Sequence, residues 1–191
     1  MSVTALPRER TRAHCGTVRA LMVGLAALLA LLSASPARAG TTADERVLRL
    51  IEAEESAASD AFAAFDALYE SRPLSRIARE EARHVRIVRG LLDEEPSGGR
   101  TGHYAGYPGL QQDYWAWLAE GYVDLHSAAT VGIEIEKRHL ALLAAALAVP
   151  QDAVTRRNLE RIRRQDARHL TTCIRLLQRT PSAQPCASAS C

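Results

Sequence analysis

Residues 74–91 read LSRIAREEARHVRIVRGL, and the spacing inside that stretch decides the fold. Leu74, Ile77, Glu81, His84 or Val85, Val88 and Leu91 recur at intervals of three and four, which is the inward stripe of a helix packed in a bundle. Glu81 and His84 lie on that stripe three residues apart, so the two side chains stand one above the other on a single face and can grip the same ion. The same kind of pair returns as Glu136-x-x-His139 and as Asp166-x-x-His169, and Glu55 stands alone on an earlier segment. Four helical segments that each bring a carboxylate inward have the donors to hold two metal ions.

Outward from this stretch the pattern stays helical. On the N-terminal side Ile51, Glu55, Ala58, Phe62, Phe65 and Tyr69 form the stripe of a first helix, which Arg72-Pro73 interrupts. On the C-terminal side the second helix runs out at Asp93 to Gly99. The link over about 93–112 is rich in Pro and Gly and has no periodicity, and a connection of that length in a small domain usually has a specific role. The sequence then predicts one continuous third helix from about Gln111, with Leu118, Tyr122, Leu125, Ala129, Gly132, Glu136, His139 and Leu143 inward. Val149-Pro150-Gln151 ends it, and Asp152 is placed to cap a fourth helix carrying Leu159, Ile162, Asp166, His169, Cys173 and Leu176. Short link, long link, short link describes two antiparallel helical hairpins, about 44–92 and 112–179, joined by one crossover. The expected fold class is therefore all-α, a four-helix bundle over 40–179 followed by a tail at 180–191.

The first 39 residues read differently. Arg8, Arg10, Arg12 and Arg19 precede the apolar run Ala20 to Leu32, and Ala37-Arg38-Ala39 stands before Gly40, the pattern of a secretory signal peptide cleaved after Ala39. The apolar run is shorter than the roughly 20 residues that span a bilayer, so the expectation is an exported chain, periplasmic or extracellular, with no stable membrane span after cleavage. An uncleaved anchor is the alternative. The leader has no Arg-Arg pair and no Cys follows the apolar run, which gives no sign of twin-arginine export or lipoprotein anchoring. The whole chain has a net charge of +2, but without the leader 19 basic residues face 21 acidic ones, a net charge of −2. That balance has no nucleic-acid footprint. The partners expected are metal ions, with a homodimer left open.

Each feature has a plainer reading. Most helical acids are solvated, so an isolated Glu-x-x-His would be surface decoration. Here all four acids fall on apolar stripes, where unpaired charge is costly. Buried together they repel unless cations or protons intervene, and two divalent ions neutralise four carboxylates in one step. A protonated polar core is the competing account. His139 is open between a ligand and a histidine standing beside the ligands. His103 and His126 are read as ordinary, and Cys173 as a small core residue. Cys186 and Cys191 could pair with each other or bridge to another chain. Tyr104, Tyr107, Tyr114, Trp115 and Trp117 are expected to pack the crossover onto the bundle, a partner surface being the second reading.

With these residues in view, the chain resembles the ferritin-like superfamily, whose pattern along four helices is Glu, Glu-x-x-His, Glu, Glu-x-x-His. The resemblance rests on Val47 to Leu92, with Glu54-Glu55 and Glu80-Glu81-Ala82-Arg83-His84, and then on Val131 to Glu136 and Arg168-His169-Leu170. Within that superfamily it looks most like an uncharacterised prokaryotic branch known only as a domain of unknown function. The resemblance implies Glu55, Glu81, His84, Glu136, Asp166 and His169 as ligands to two iron or manganese ions per chain. Carboxylate-rich ligation suits those metals and lacks the thiolates of structural zinc. It also implies an oxidoreductase acting on ferrous iron, dioxygen or peroxide; a non-catalytic bundle that sequesters metal or serves a structural role is the competing class. Two departures stand out. Asp166 is one methylene shorter than the usual Glu, and His139 is additional. No Cys-x-x-Cys pair supplies an electron-donor site of its own.

Overall fold

The computed structural model describes residues 43–94, 102–104 and 106–181; the expected signal peptide and the tail cysteines Cys186 and Cys191 lie outside them. Five helices follow one another: α1 (Ala43–Tyr69), α2 (Arg72–Leu91), α3 (Pro108–Gly121), α4 (Leu125–Ala148) and α5 (Ala153–Arg179). There is no strand among the described residues, so the chain is all-α. No helix among them is long and apolar enough to cross a membrane.

α1 turns into α2 through Glu70 and Ser71. Glu70 takes a φ of 49°, the left-handed conformation that commonly ends a helix. Pro73 then sits in the first turn of α2, where its missing N–H would have had no partner in the helix. α5 starts as its sequence predicts, with the Asp152 carboxylate accepting from the amides of Val154 and Thr155 at 2.8 and 3.1 Å.

The single third helix expected from about Gln111 is two helices. The apolar spacing does continue through Leu118, Tyr122 and Leu125, but the Asp124 carboxylate accepts from Ser127 N at 2.6 Å. In an unbroken helix that N–H would go to the carbonyl four residues back, so the side chain replaces the ladder and restarts it as α4. Tyr122 is consequently half exposed. α3 also begins earlier than expected, at Pro108, and the connection from α2 to the ligand-bearing α4 therefore contains a helix of its own.

α1 packs along α2 and α4 along α5; α1 also meets α4, and α2 meets α5, while α3 lies against α1 and α4. The result is a helical bundle with α1, α2, α5 and α4 in a closed ring of neighbours. Phe62, Phe65, Leu74, Ile77, Ile135, Leu159 and Ile162 fill its interior. Side chains of this size contribute about 1.5–3 kcal/mol each when fully buried, and such a core is what can offset the cost of placing carboxylates beside it. Gly132 of α4 permits a close approach beside this core. A Cβ there would come 2.8 Å from Cys173 Sγ and 3.0 Å from Phe62 Cε1. Before α3, the chain is tied to α1 by Gly102 N and Tyr104 OH, which donate to the same oxygen of Asp60 at 2.8 and 2.6 Å. Tyr104, Tyr114 and Trp117 are buried, as their packing role requires, whereas Trp115 is 56% exposed.

Candidate metal centre

The inward stripes place Glu55 on α1, Glu81 and His84 on α2, Glu136 and His139 on α4, and Asp166 and His169 on α5. All seven are buried, at 3% exposure or less. Six of them assemble into two overlapping sets, Glu55, Glu81, His84 and Asp166 in one and Glu81, Glu136, Asp166 and His169 in the other. Within each set the donor atoms lie within 4.8 Å of one another. Glu81 and Asp166 belong to both.

Glu81 divides its two oxygens between the sets. Oε2 lies 2.9 Å from His84 Nδ1, and Oε1 lies 2.7 Å from His169 Nδ1. Asp166 stands between the same imidazoles, with Oδ1 3.4 Å from His84 Nδ1 and 3.9 Å from His169 Nδ1. The shorter side chain therefore still reaches both sets. Glu55 Oε2 is 3.0 Å from His84 Nδ1, and Glu136 Oε1 is 3.6 Å from His169 Nδ1. The two imidazoles themselves are stacked, 5.8 Å between ring centroids.

Burial sets the charge. Glu55, Glu136 and Asp166 are held well above the usual carboxylate range, first by burial and then by the neighbouring carboxylates, Glu81 among them in each case. At Glu81 burial pushes the same way, but hydrogen bonds from Glu55, His169 and His84 outweigh it and hold this carboxyl well below the range. At His169 the desolvation that disfavours charge is overcome by Glu81 and Glu80, so its pKa is raised. Burial thus favours protons on Glu55, Glu136 and Asp166, while the imidazoles favour charge on Glu81.

The residues fit metal cations by a further observation. Both oxygens of Glu136 and both of Asp166 are buried without a hydrogen-bond partner. Uncompensated buried polar atoms of this kind cost about 1–3 kcal/mol each; a cation at either set would partner Asp166, and one at the second set would partner Glu136 as well.

His139 is placed differently. It belongs to neither set, and its Nδ1 is 3.7 Å from Glu55 Oε2, too far for a hydrogen bond. Neither ring nitrogen has a partner, and burial pushes its pKa down to about 4, so the ring is neutral. His126 Nδ1 donates to Thr180 O at 2.6 Å, and His103 is exposed. Cys173 is buried, with its thiol pushed up to about 12 by burial and then by Glu81.

Two groups that the stripes do not single out complete the centre. Glu80 Oε2 lies 2.6 Å from His169 Nε2, and Gln165 Oε1 lies 3.2 Å from His84 Nε2. Each comes from the position before the shared carboxylate on its own helix and reaches the histidine of the facing helix. The available signal was that adjacency, Glu80-Glu81 and Gln165-Asp166. A third polar group flanks the centre where Arg138 of α4 donates to Glu54 Oε1 from Nε and Nη2, at 3.0 and 2.6 Å, and to Asp113 Oδ2 of α3 at 2.5 Å. This links α1, α3 and α4 beside Glu55 and His139.

No family model matches this chain, and no curated protein matches it. Among solved structures it is similar to a hypothetical protein from Methanococcus jannaschii DSM 2661, with a TM-score of 0.68 and 19% sequence identity over 76% of this chain and 86% of that one. At that identity the likeness speaks to the fold alone.

Proposed function

We propose that this chain is an exported ferritin-like four-helix protein whose buried carboxylates hold two iron or manganese ions, and that it is an oxidoreductase acting on ferrous iron, dioxygen or peroxide. The observation that carries the reading is Glu81, which turns one oxygen toward each of two imidazoles at 2.9 and 2.7 Å. Asp166, with one oxygen near both imidazoles, also belongs to both sets, and this supports two adjacent ion positions over one. The closed ring of α1, α2, α5 and α4 supports the four-helix reading, with α3 as part of the crossover. The leader pattern ending at Ala37-Arg38-Ala39 supports export.

In this reading Glu55 and His84 hold one ion, Glu136 and His169 the other, and Glu81 and Asp166 span both. A redox-active pair of ions so placed supplies two one-electron steps to a small oxidant. The rest is done by the chain. Nε2 of each imidazole is engaged from outside, which aims Nδ1 into the centre. The shorter Asp166 leaves more room between the sets than a Glu would, at the place where a small oxidant would have to bind. The buried apolar residues one turn away, Ile51, Ile77 and Ile162 among them, keep bulk water from the carboxylates.

The test is metal analysis of protein purified without a polyhistidine tag, followed by oxidation of the ferrous-loaded form with dioxygen or hydrogen peroxide. About two ions per chain and oxidation faster than that of free ferrous ion in the same buffer are expected. Two ions held with no such acceleration would leave a sequestering protein, and metal content near zero would remove the metal reading altogether.

A further inference from the structure

The two ion positions differ in what stands behind their histidines. His169 Nε2 meets the Glu80 carboxylate at 2.6 Å, and the other Glu80 oxygen accepts from Arg76 Nε at 3.0 Å, so the carboxylate is held from both ends. His84 Nε2 meets the neutral amide of Gln165 at 3.2 Å. The two contacts are structurally equivalent: each side chain precedes the shared carboxylate of its own helix and crosses to the histidine of the other. Only the chemistry differs. A hydrogen bond to an ionised acceptor is shorter and roughly twice as strong as one to a neutral acceptor. A carboxylate behind a ligand imidazole also makes the other nitrogen a better electron-pair donor, and loss of such an outer partner typically costs about 10–100-fold in metal affinity.

We propose that the two metal positions are inequivalent, that the position of Glu136 and His169 is the tighter and fills first, and that Glu80 and Gln165 are the positioning residues that set this order. The inference rests on the dinuclear reading above and deepens it. Glu81 and Asp166 serve both positions and so cannot produce the difference, while Glu55 and Glu136 are both terminal carboxylates on facing helices. His139 stands 3.7 Å from Glu55 without a hydrogen bond to it, whereas the acceptors behind the two rings contact the ligand imidazoles directly and differ in charge. Binding in order has a functional consequence: a protein with one ion in place presents the His84 side as the exchangeable position, which is where a ferrous ion could enter as substrate.

Titration calorimetry with manganous and cobaltous ion distinguishes the outcomes. The parent protein should show two resolved steps, the tighter lost in His169→Ala and the weaker lost in His84→Ala. Glu80→Gln should weaken the tighter step by about 10–100-fold and leave the weaker one within about threefold. Gln165→Glu should tighten the weaker step so that the two approach each other, a gain that a merely destabilised fold could not produce. Equal affinities in the parent, or isotherms unchanged in both Glu80→Gln and Gln165→Glu, would overturn the inference while leaving a dinuclear centre intact. A parent protein that binds neither ion would overturn the dinuclear reading and this inference with it.

Discussion

Glu81 is the residue on which the two halves of the centre meet, and its charge state shows why. Its carboxyl is held well below the usual range although fully buried, because hydrogen bonds from Glu55, His169 and His84 outweigh the desolvation. Removing it takes a donor from both sets at once, so Glu81→Ala should lose at least one ion per chain, by elemental analysis, where His169→Ala takes a donor from only one. Metal content equal to the parent's in both variants would count decisively against the centre. His139 carries a separate prediction. It stands beside Glu55 without reaching either set, so His139→Ala should lower metal affinity, by up to about 10–100-fold if Glu55 is displaced. The number of nitrogens seen by X-ray absorption at the bound metal should stay the same. A fall in that number would make His139 a ligand after all.

At the scale of elements, the break between α3 and α4 shows a side chain overriding a period. The spacing of Leu118, Tyr122 and Leu125 would let a helix continue, and Asp124 stops it by taking the N–H of Ser127. Asp124→Ala should therefore cost about 0.5–2 kcal/mol in a denaturant titration, as lost N-caps do. Gly121, the last residue of α3, is constrained by packing. A Cβ there would fall 2.3 Å from Phe65 Cε1 and Cζ, and the Phe65 ring is fully buried with no room to retreat. Gly121→Ala should cost about 1–3 kcal/mol, the range for forcing extra volume into a packed core. A stability equal to the parent's in this variant would mean that α3 is not seated on α1 as described.

For the whole molecule, the carboxylates couple folding to pH. Glu55, Glu136 and Asp166 have raised values in the folded state. Their contribution to stability is complete below the unfolded carboxylate range and is lost as pH rises through the folded values. His169, also raised, acts in the same direction above the ordinary histidine value, while Glu81, lowered, acts in the opposite direction at acid pH. The metal-free protein should therefore melt at a lower temperature at pH about 8 than at about 5.5. In the proposed function divalent metal takes the place of these protons, so its stabilising effect should grow over the same interval. At a hundredfold excess over Kd, one site adds about 2.7 kcal/mol, or roughly 5–10 °C in Tm for a chain of this size. A metal-free Tm that rises from pH 5.5 to 8 would show that these carboxyls are not protonated together.

The helices and the inward faces were legible from local spacing, because burial of one stripe imposes a period of 3.6 on any bundle helix. That alone put Glu55, Glu81, His84, Glu136, His139, Asp166 and His169 on the interior side of four segments, and the Asp152 cap and the break marked by Arg72-Pro73 were likewise local chemistry. What local spacing could not carry was any fact that depends on two helices facing each other. The Asp124 break is a competition between a side chain and a backbone carbonyl that the apolar period does not register. The sharing of Glu81 and Asp166 between two sets and the exclusion of His139 from both depend on how α2, α4 and α5 are rotated within the ring. The crossing of Glu80 to His169 and of Gln165 to His84 spans 89 and 81 residues. These are distances between side chains far apart in the chain, and only the packing of the folded bundle brings them within reach.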